Sequence, residues 1–128
     1  MNRRSGTKLN VAVVGAHRGK GFAKYYQRCP FTNLVTLCDQ NEPLARSTAK
    51  ELGVADVCFD YAKLLKRSDI DAVCLETGDD AHGWMTIAAL EAGKHVHVDV
   101  PLATSIKDLK RIVELSERKK LNVCMGNE

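Results

Sequence analysis

The sequence predicts a doubly wound α/β domain: a parallel sheet of about six strands between two helical layers. Two observations carry this. Short β-branched apolar runs alternate along the chain with segments of helical spacing, and the connections are too long for hairpins. Parallel pairing through right-handed crossovers is the arrangement that satisfies both. With 128 residues, 45% apolar and 27% charged, the chain has the size and composition of one soluble globular domain.

The elements follow in order. Val11 to Val14 is a first strand, broken by Gly15, with further glycines at 19 and 21 before a helix reaching about Arg28. Asn33 to Cys38 is a second strand that Asp39 ends. Asn41 caps the next helix, with Pro43 in its first turn and Gly53 closing it. Val57 to Phe59 is a short third strand, and Asp60 caps a brief helix ending near Ser68. A fourth strand spans Asp71 to Glu76, and after the turn Thr77-Gly78-Asp79-Asp80 a helix runs from about Ala81 to Ala92. Lys94 to Asp99 is the fifth strand, which Pro101 terminates. Thr104 or Ser105 caps a long helix with Ile106, Leu109, Ile112, Val113 and Leu115 on one side, and Leu121 to Met125 is the sixth strand. Residues 1–7 are expected to form a loose N-terminal extension.

Composition excludes several classes. The net charge is +3, without a basic stripe or interleaved aromatics, so nucleic-acid binding is not expected. No apolar run approaches a membrane span, and the polar N-terminus is no signal peptide, so a cytoplasmic location is the default. Five cysteines form no C-x-x-C pair and read as buried free thiols. His95 and His97 share a strand face with Asp99, but nothing supplies a matching fourth ligand, so no metal site is expected.

In a doubly wound sheet, ligands bind beyond the carboxyl ends of the strands. The unusual residues fall there: Gly15–Gly21, Asp39, Thr77–His82 and Asp99-Val100-Pro101. Strand, glycine turn, helix is the context in which backbone N–H groups and a helix dipole hold a pyrophosphate. His17 occupies the place of the second glycine in a G-x-G-x-x-G pattern, and two readings stand open: it flanks the phosphates as a donor, or it crowds them. Asp39 has the spacing of the acid that accepts from ribose hydroxyls and repels a 2′-phosphate, while Gln40 and Asn41 bring no positive charge. NAD is therefore expected over NADP. The bland alternative, an aspartate that begins the next turn, is compatible with that role.

These residues carry a resemblance. VAVVGAHRGKG, LVTLCDQN and above all IDAVCLETGDDAHGWMTIAALEAGKHVHVDVPLA make the chain from about Lys8 onward similar to the N-terminal domain of the glucose–fructose oxidoreductase / inositol 2-dehydrogenase (Gfo/Idh/MocA) family. The resemblance implies a Rossmann domain of an NAD(P)-dependent oxidoreductase acting on sugars, polyols or related carbinols, with a second, substrate-binding domain that also builds homo-oligomers. By position it implies Gly15, His17, Arg18 and Gly19 at the pyrophosphate, Asp39 at the ribose, Thr77 and His82 beside the nicotinamide half, and Asp99 at the E of the family's E-K-P motif. Val100 replaces the lysine of that motif and can neither donate a proton nor stabilise an alkoxide. No catalytic residue is thereby assigned; Asp99 and His82 are the nearest candidates. Gly78-Asp79 stands where the family often has Pro-Asn. The chain stops where the second domain should begin, so a fragment of a longer enzyme, inactive alone, is the expectation, with a non-catalytic NAD(H)-binding or sensing module as the alternative.

Overall fold

The first strand lies at the centre of the sheet, and the chain winds outward from it twice. In the computed structural model, which describes residues 7–126, β1 (Leu9–Val14) pairs with β2 (Thr32–Cys38) on one side and β4 (Ala72–Leu75) on the other. β3 (Asp56–Cys58) lies outside β2, while β5 (His95–Val98) and β6 (Val123–Met125) extend the other half. The order β3-β2-β1-β4-β5-β6 is parallel throughout. It reverses direction between β1 and β4, and that reversal opens a crevice at their carboxyl ends. The doubly wound fold is as the sequence predicts.

Local chemistry explains the helices. α1 (Lys20–Arg28) follows the glycine loop. α2 (Glu42–Leu52) is capped by Asn41, whose side chain accepts from the Leu44 N–H, and is closed by Gly53. Asp60 caps α3 (Tyr61–Leu65) by accepting from Lys63 N. A single 3-10 turn, Asp79–Ala81, leads into α4 (His82–Glu91), and Ser105 caps α5 (Ile106–Lys119). α3 ends three residues before the expected Ser68 because the chain turns to present carbonyls. Lys94 Nζ donates to the carbonyl oxygens of Arg67 and Ile70. Burial lowers the pKa of that lysine.

Two apolar clusters flank the sheet. Leu64, Leu75, Leu90, Ile112 and Leu115 belong to one; Val11, Val13, Ala23 and Leu37 belong to the other. The expectation for α5 needs correction. Ile112 and Leu115 are buried, whereas Ile106, Leu109 and Val113 are 70, 37 and 53% exposed. The first pair and the last three lie about a third of a turn apart on a helix, so one stripe meets the core and the other faces outward. The expected extension at residues 1–7 lies, but for Thr7, outside the described residues. Among those residues no helix is long and apolar enough to cross a membrane.

β5 alternates. Val96 and Val98 are buried on the α4 side, while His95 and His97 are half-buried on the α1 side. His97 Nδ1 lies 2.7 Å from the Tyr26 hydroxyl and 3.6 Å from Cys74 Sγ. Among the described residues no group of three or more His, Cys, Asp or Glu could hold a metal. Burial lowers the His97 pKa, so the folded state holds this ring neutral where an unfolded chain would protonate it. Its contribution is complete above about pH 6.5, the unfolded value, and is lost as pH falls from there toward the lower folded value. Urea unfolding between about pH 8 and 5 should show this decline, and His97→Gln should flatten part of it.

Candidate dinucleotide site

The crevice is built around Gly15. Its φ is +100°, and a Cβ there would lie 2.2 Å from the carbonyl oxygen of Glu76. Only glycine lets β1 end flush against β4 in this way. The Gly15 N–H donates to Cys38 O and the Glu76 N–H to Val14 O, so the ends of β1, β2 and β4 are held level. Gly19 allows a second close approach, since a Cβ would stand 2.5 Å from Val13 Cγ1 and 2.3 Å from Gly15 O. No side chain caps α1, and its first turn carries no acid. Its unsatisfied N–H groups and positive dipole end face the crevice, an arrangement suited to an anion.

Asp39 joins this loop to the second strand. Its Oδ2 accepts from Ala16 N at 2.8 Å and its Oδ1 from Asn41 N at 2.9 Å. The carboxylate is thereby fixed at the mouth of a cleft of about 270 Å³ that also receives Gly15, Gln40, Thr77 and Trp84. This volume sits near the lower end, about 300 Å³, of ordinary ligand pockets. The far wall is aromatic. Phe59 and Tyr61 come from the end of β3 and the start of α3, and the Tyr61 and Trp84 rings meet edge to face at 6.1 Å. The Tyr61 hydroxyl donates to Met85 O at 2.7 Å, and burial pushes its pKa up. On the outer side of Phe59, the Arg46 guanidinium lies 4.8 Å from the ring centroid.

The other expected residues take distinct places. His17 and Arg18 are exposed at the rim of the loop. Arg18 Nη2 reaches across to Asp99 Oδ2 at 3.2 Å, and Asp99 Oδ1 accepts from Val100 N at 2.8 Å. Asp99 is only 7% exposed, so its carboxylate is engaged within the protein. Val100, in the lysine position of the family motif, is 44% exposed. Thr77 lines the cleft, and its hydroxyl faces Met85 Sδ at 3.4 Å.

His82 is wholly buried and does not line the cleft. Its Nδ1 lies 2.7 Å from Pro101 O and its Nε2 3.0 Å from Thr77 O. The ring therefore ties the loop after β4 to the loop after β5. A neutral imidazole has one N–H and satisfies one of these carbonyls; a doubly protonated ring satisfies both. Either way the residue acts on the crevice through the two loops.

Phe59, Tyr61 and Trp84 are not among the residues that the sequence singles out. The signal was present for the first two. The rule that selected the ends of β1, β2, β4 and β5 applies equally to the end of β3, where Phe59-Asp60-Tyr61 stands. Trp84 gives no such signal, because its place on the cleft depends on how α4 is set against α3.

Comparison with known proteins agrees with the geometry. Residues 9–127 match the Gfo/Idh/MocA oxidoreductase family, NAD-binding Rossmann fold. The chain belongs to this family. Glycosyl hydrolase family 109 protein 1 of Bacteroides fragilis strain YCH46 is 32% identical over 134 aligned positions, covering 94% of this chain and 29% of that protein. The 4-carboxy-2-hydroxymuconate-6-semialdehyde dehydrogenase of Sphingobium sp. strain SYK-6 is 35% identical over 118 residues, covering 91% of this chain and 37% of the dehydrogenase. The crystal structure of scyllo-inositol dehydrogenase from Lactobacillus casei with bound NAD(H) and scyllo-inositol superposes with a TM-score of 0.85 at 25% identity, covering 94% of this chain and 36% of that one. The chain thus spans well under half the length of these relatives.

Replacing His82 by Ala should remove the ring that joins Thr77 O and Pro101 O and cost about 1–3 kcal/mol for a carbonyl that loses its donor. Urea unfolding reads the loss, and a weakened NADH affinity in the surviving folded fraction would show that the two loops shape the crevice.

Proposed function

We propose that this chain binds NAD and serves an oxidoreductase that transfers hydride between NAD and a carbinol of a sugar, polyol or related compound. The observation that carries the reading is the fixed Asp39 carboxylate, held by Ala16 N–H and Asn41 N–H where the glycine loop meets the aromatic cleft. The residues present fit a dinucleotide. Gly15 and Gly19 leave a cradle that a Cβ would fill, the α1 N-terminus is uncapped, and Phe59, Tyr61 and Trp84 offer apolar faces to a planar base. When bound, the nicotinamide supplies the hydride acceptor or donor.

What the chain's own residues do follows from their places. The loop from Gly15 to Gly19 holds the pyrophosphate through its N–H groups, with His17 and Arg18 at its rim. Asp39 accepts from the ribose hydroxyls with the lone pairs its two backbone donors leave free. Thr77 lines the passage between the two halves of the cofactor. His82 positions the loops around it, and Asp99 orients Arg18 near the phosphates. Val100 supplies no proton at the carbinol. Proton transfer and substrate recognition are therefore assigned to a second domain, for which the dehydrogenase and glycosyl hydrolase relatives point to oxygen-rich carbon skeletons. Residues 8–128 form the cofactor domain in this reading, and homo-oligomers would be built through that second domain.

The negative charge of Asp39 favours a free 2′-hydroxyl over a 2′-phosphate. Calorimetric titration should show NAD binding more tightly than NADP by about tenfold or more, roughly 1.4 kcal/mol. Asp39→Asn, which keeps an acceptor for Ala16 N–H but removes the charge, should narrow that gap. Equal or tighter binding of NADP to the unaltered chain would refute the assignment to NAD, and no binding of either at millimolar concentration would refute the dinucleotide reading.

A further inference from the structure

Cys38 and Cys58 close β2 and β3, and they are register partners in that parallel pair. Neighbouring strands lie about 4.8 Å apart, inside the roughly 4.4–6.8 Å Cα separation that disulfides span. Both side chains point to the same sheet face: Cys38 belongs to the cluster around Leu64 and Leu75, and Cys58 packs against that cluster. Burial first, and the neighbouring Cys58 thiol next, push the Cys38 thiol pKa up.

The pair also brackets the proposed ribose ligand. Cys38 precedes Asp39 and lines the cleft, and the Asp39 N–H donates to Cys58 O at 3.0 Å. Cys58 is the more accessible of the two, half-buried with its Sγ 3.2 Å from Asp60 O, whereas Cys38 is 2% exposed. No other two of the five cysteines are register partners among the described strands.

We propose that Cys38 and Cys58 form an oxidisable pair that a hydroperoxide converts to a disulfide, and that this bond weakens dinucleotide binding at Asp39. The second half rests on the dinucleotide reading above; the first does not. Chemically, the Cys58 sulfur attacks the peroxide, the O–O bond breaks, and an alcohol or water leaves with Cys58 as sulfenic acid. The Cys38 sulfur then attacks the Cys58 sulfur, the S–O bond breaks, and water leaves with the Cys38 proton. Two thiols and one hydroperoxide thus give one disulfide, one alcohol or water, and one further water, with two electrons passing from sulfur to the peroxide. Cys38, held protonated by burial, acts second, where proximity in the register pair compensates for a small thiolate fraction. Closing the bond turns the side chains of the residue before Asp39 and of the residue whose carbonyl accepts its N–H, and so shifts the Asp39 carboxylate from Ala16 N–H.

The test treats the full chain with hydrogen peroxide, blocks remaining thiols with iodoacetamide and maps unreduced peptides by mass spectrometry. A peptide joining Cys38 to Cys58, lost on adding dithiothreitol, is the expected product. Calorimetric titration of NAD into oxidised protein should give an affinity lower by about fivefold or more, restored by dithiothreitol. Cys58→Ser should bind NAD equally before and after peroxide. Cys38 and Cys58 both recovered as separate alkylated or over-oxidised residues would overturn the disulfide. A linked pair with unchanged NAD affinity would overturn the regulatory half. Failure of the reduced protein to bind NAD would overturn the dinucleotide reading and that regulatory half with it, while the peptide map would still decide the disulfide.

Discussion

The crevice depends on one contact, the approach of the Gly15 backbone to the Glu76 carbonyl. A Cβ at residue 15 would stand 2.2 Å from that oxygen, and the backbone there has φ of +100°. Because this position is bare, β1 ends level with β4, the chain turns directly into α1, and the uncapped first turn of that helix faces the point where the strand order reverses. Everything proposed for the site is arranged around that turn. Asp39 is fixed by the next N–H along, at Ala16. The cleft beyond it is walled by residues from β3, α3 and α4.

Three cross-connections hold the crevice against its own loops. Asp39 ties the glycine loop to the end of β2, Arg18 ties it to Asp99 after β5, and the buried His82 ring ties the loop after β4 to the loop after β5. The three differ in strength. Asp39 and His82 work through hydrogen bonds to backbone groups in sheltered surroundings, where leaving a partner unpaired is costly. The Arg18 side chain is 55% exposed, and an ion pair of that kind contributes little to stability. Arg18 is therefore the least constrained member, while the other two set the frame.

Much of this was legible in the sequence because each signal is local. Gly15, Asn41, Gly53, Asp60 and Ser105 announce turns and caps by residue type, and alternation of strand and helix leaves the parallel doubly wound sheet as the arrangement. What stayed hidden depends on packing between distant segments. Nothing in Thr77-Gly78-Asp79-Asp80-Ala81-His82 shows that the histidine turns inward to bridge two carbonyls rather than outward to the crevice. The apolar residues of α5 look like one face in sequence, but the helix meets the core with Ile112 and Leu115 and leaves Ile106 and Val113 outside. The register of Cys38 with Cys58 requires knowing which strands are neighbours. The aromatic wall from Phe59 and Tyr61 required only that the strand-end rule be applied to β3 as well.

The proposed dinucleotide site lies along the carboxyl edge of β1, β2 and β4, across the Gly15 loop. Two-dimensional amide NMR of the chain titrated with NADH addresses it at residue level. The expected result is a saturable set of shifts concentrated at Ala16 to Gly19, Asp39 to Asn41 and Thr77 to Ala81, with His95, His97 and Cys124 on the opposite sheet face unmoved. Shifts centred instead on that opposite face, or none at millimolar NADH, would contradict it.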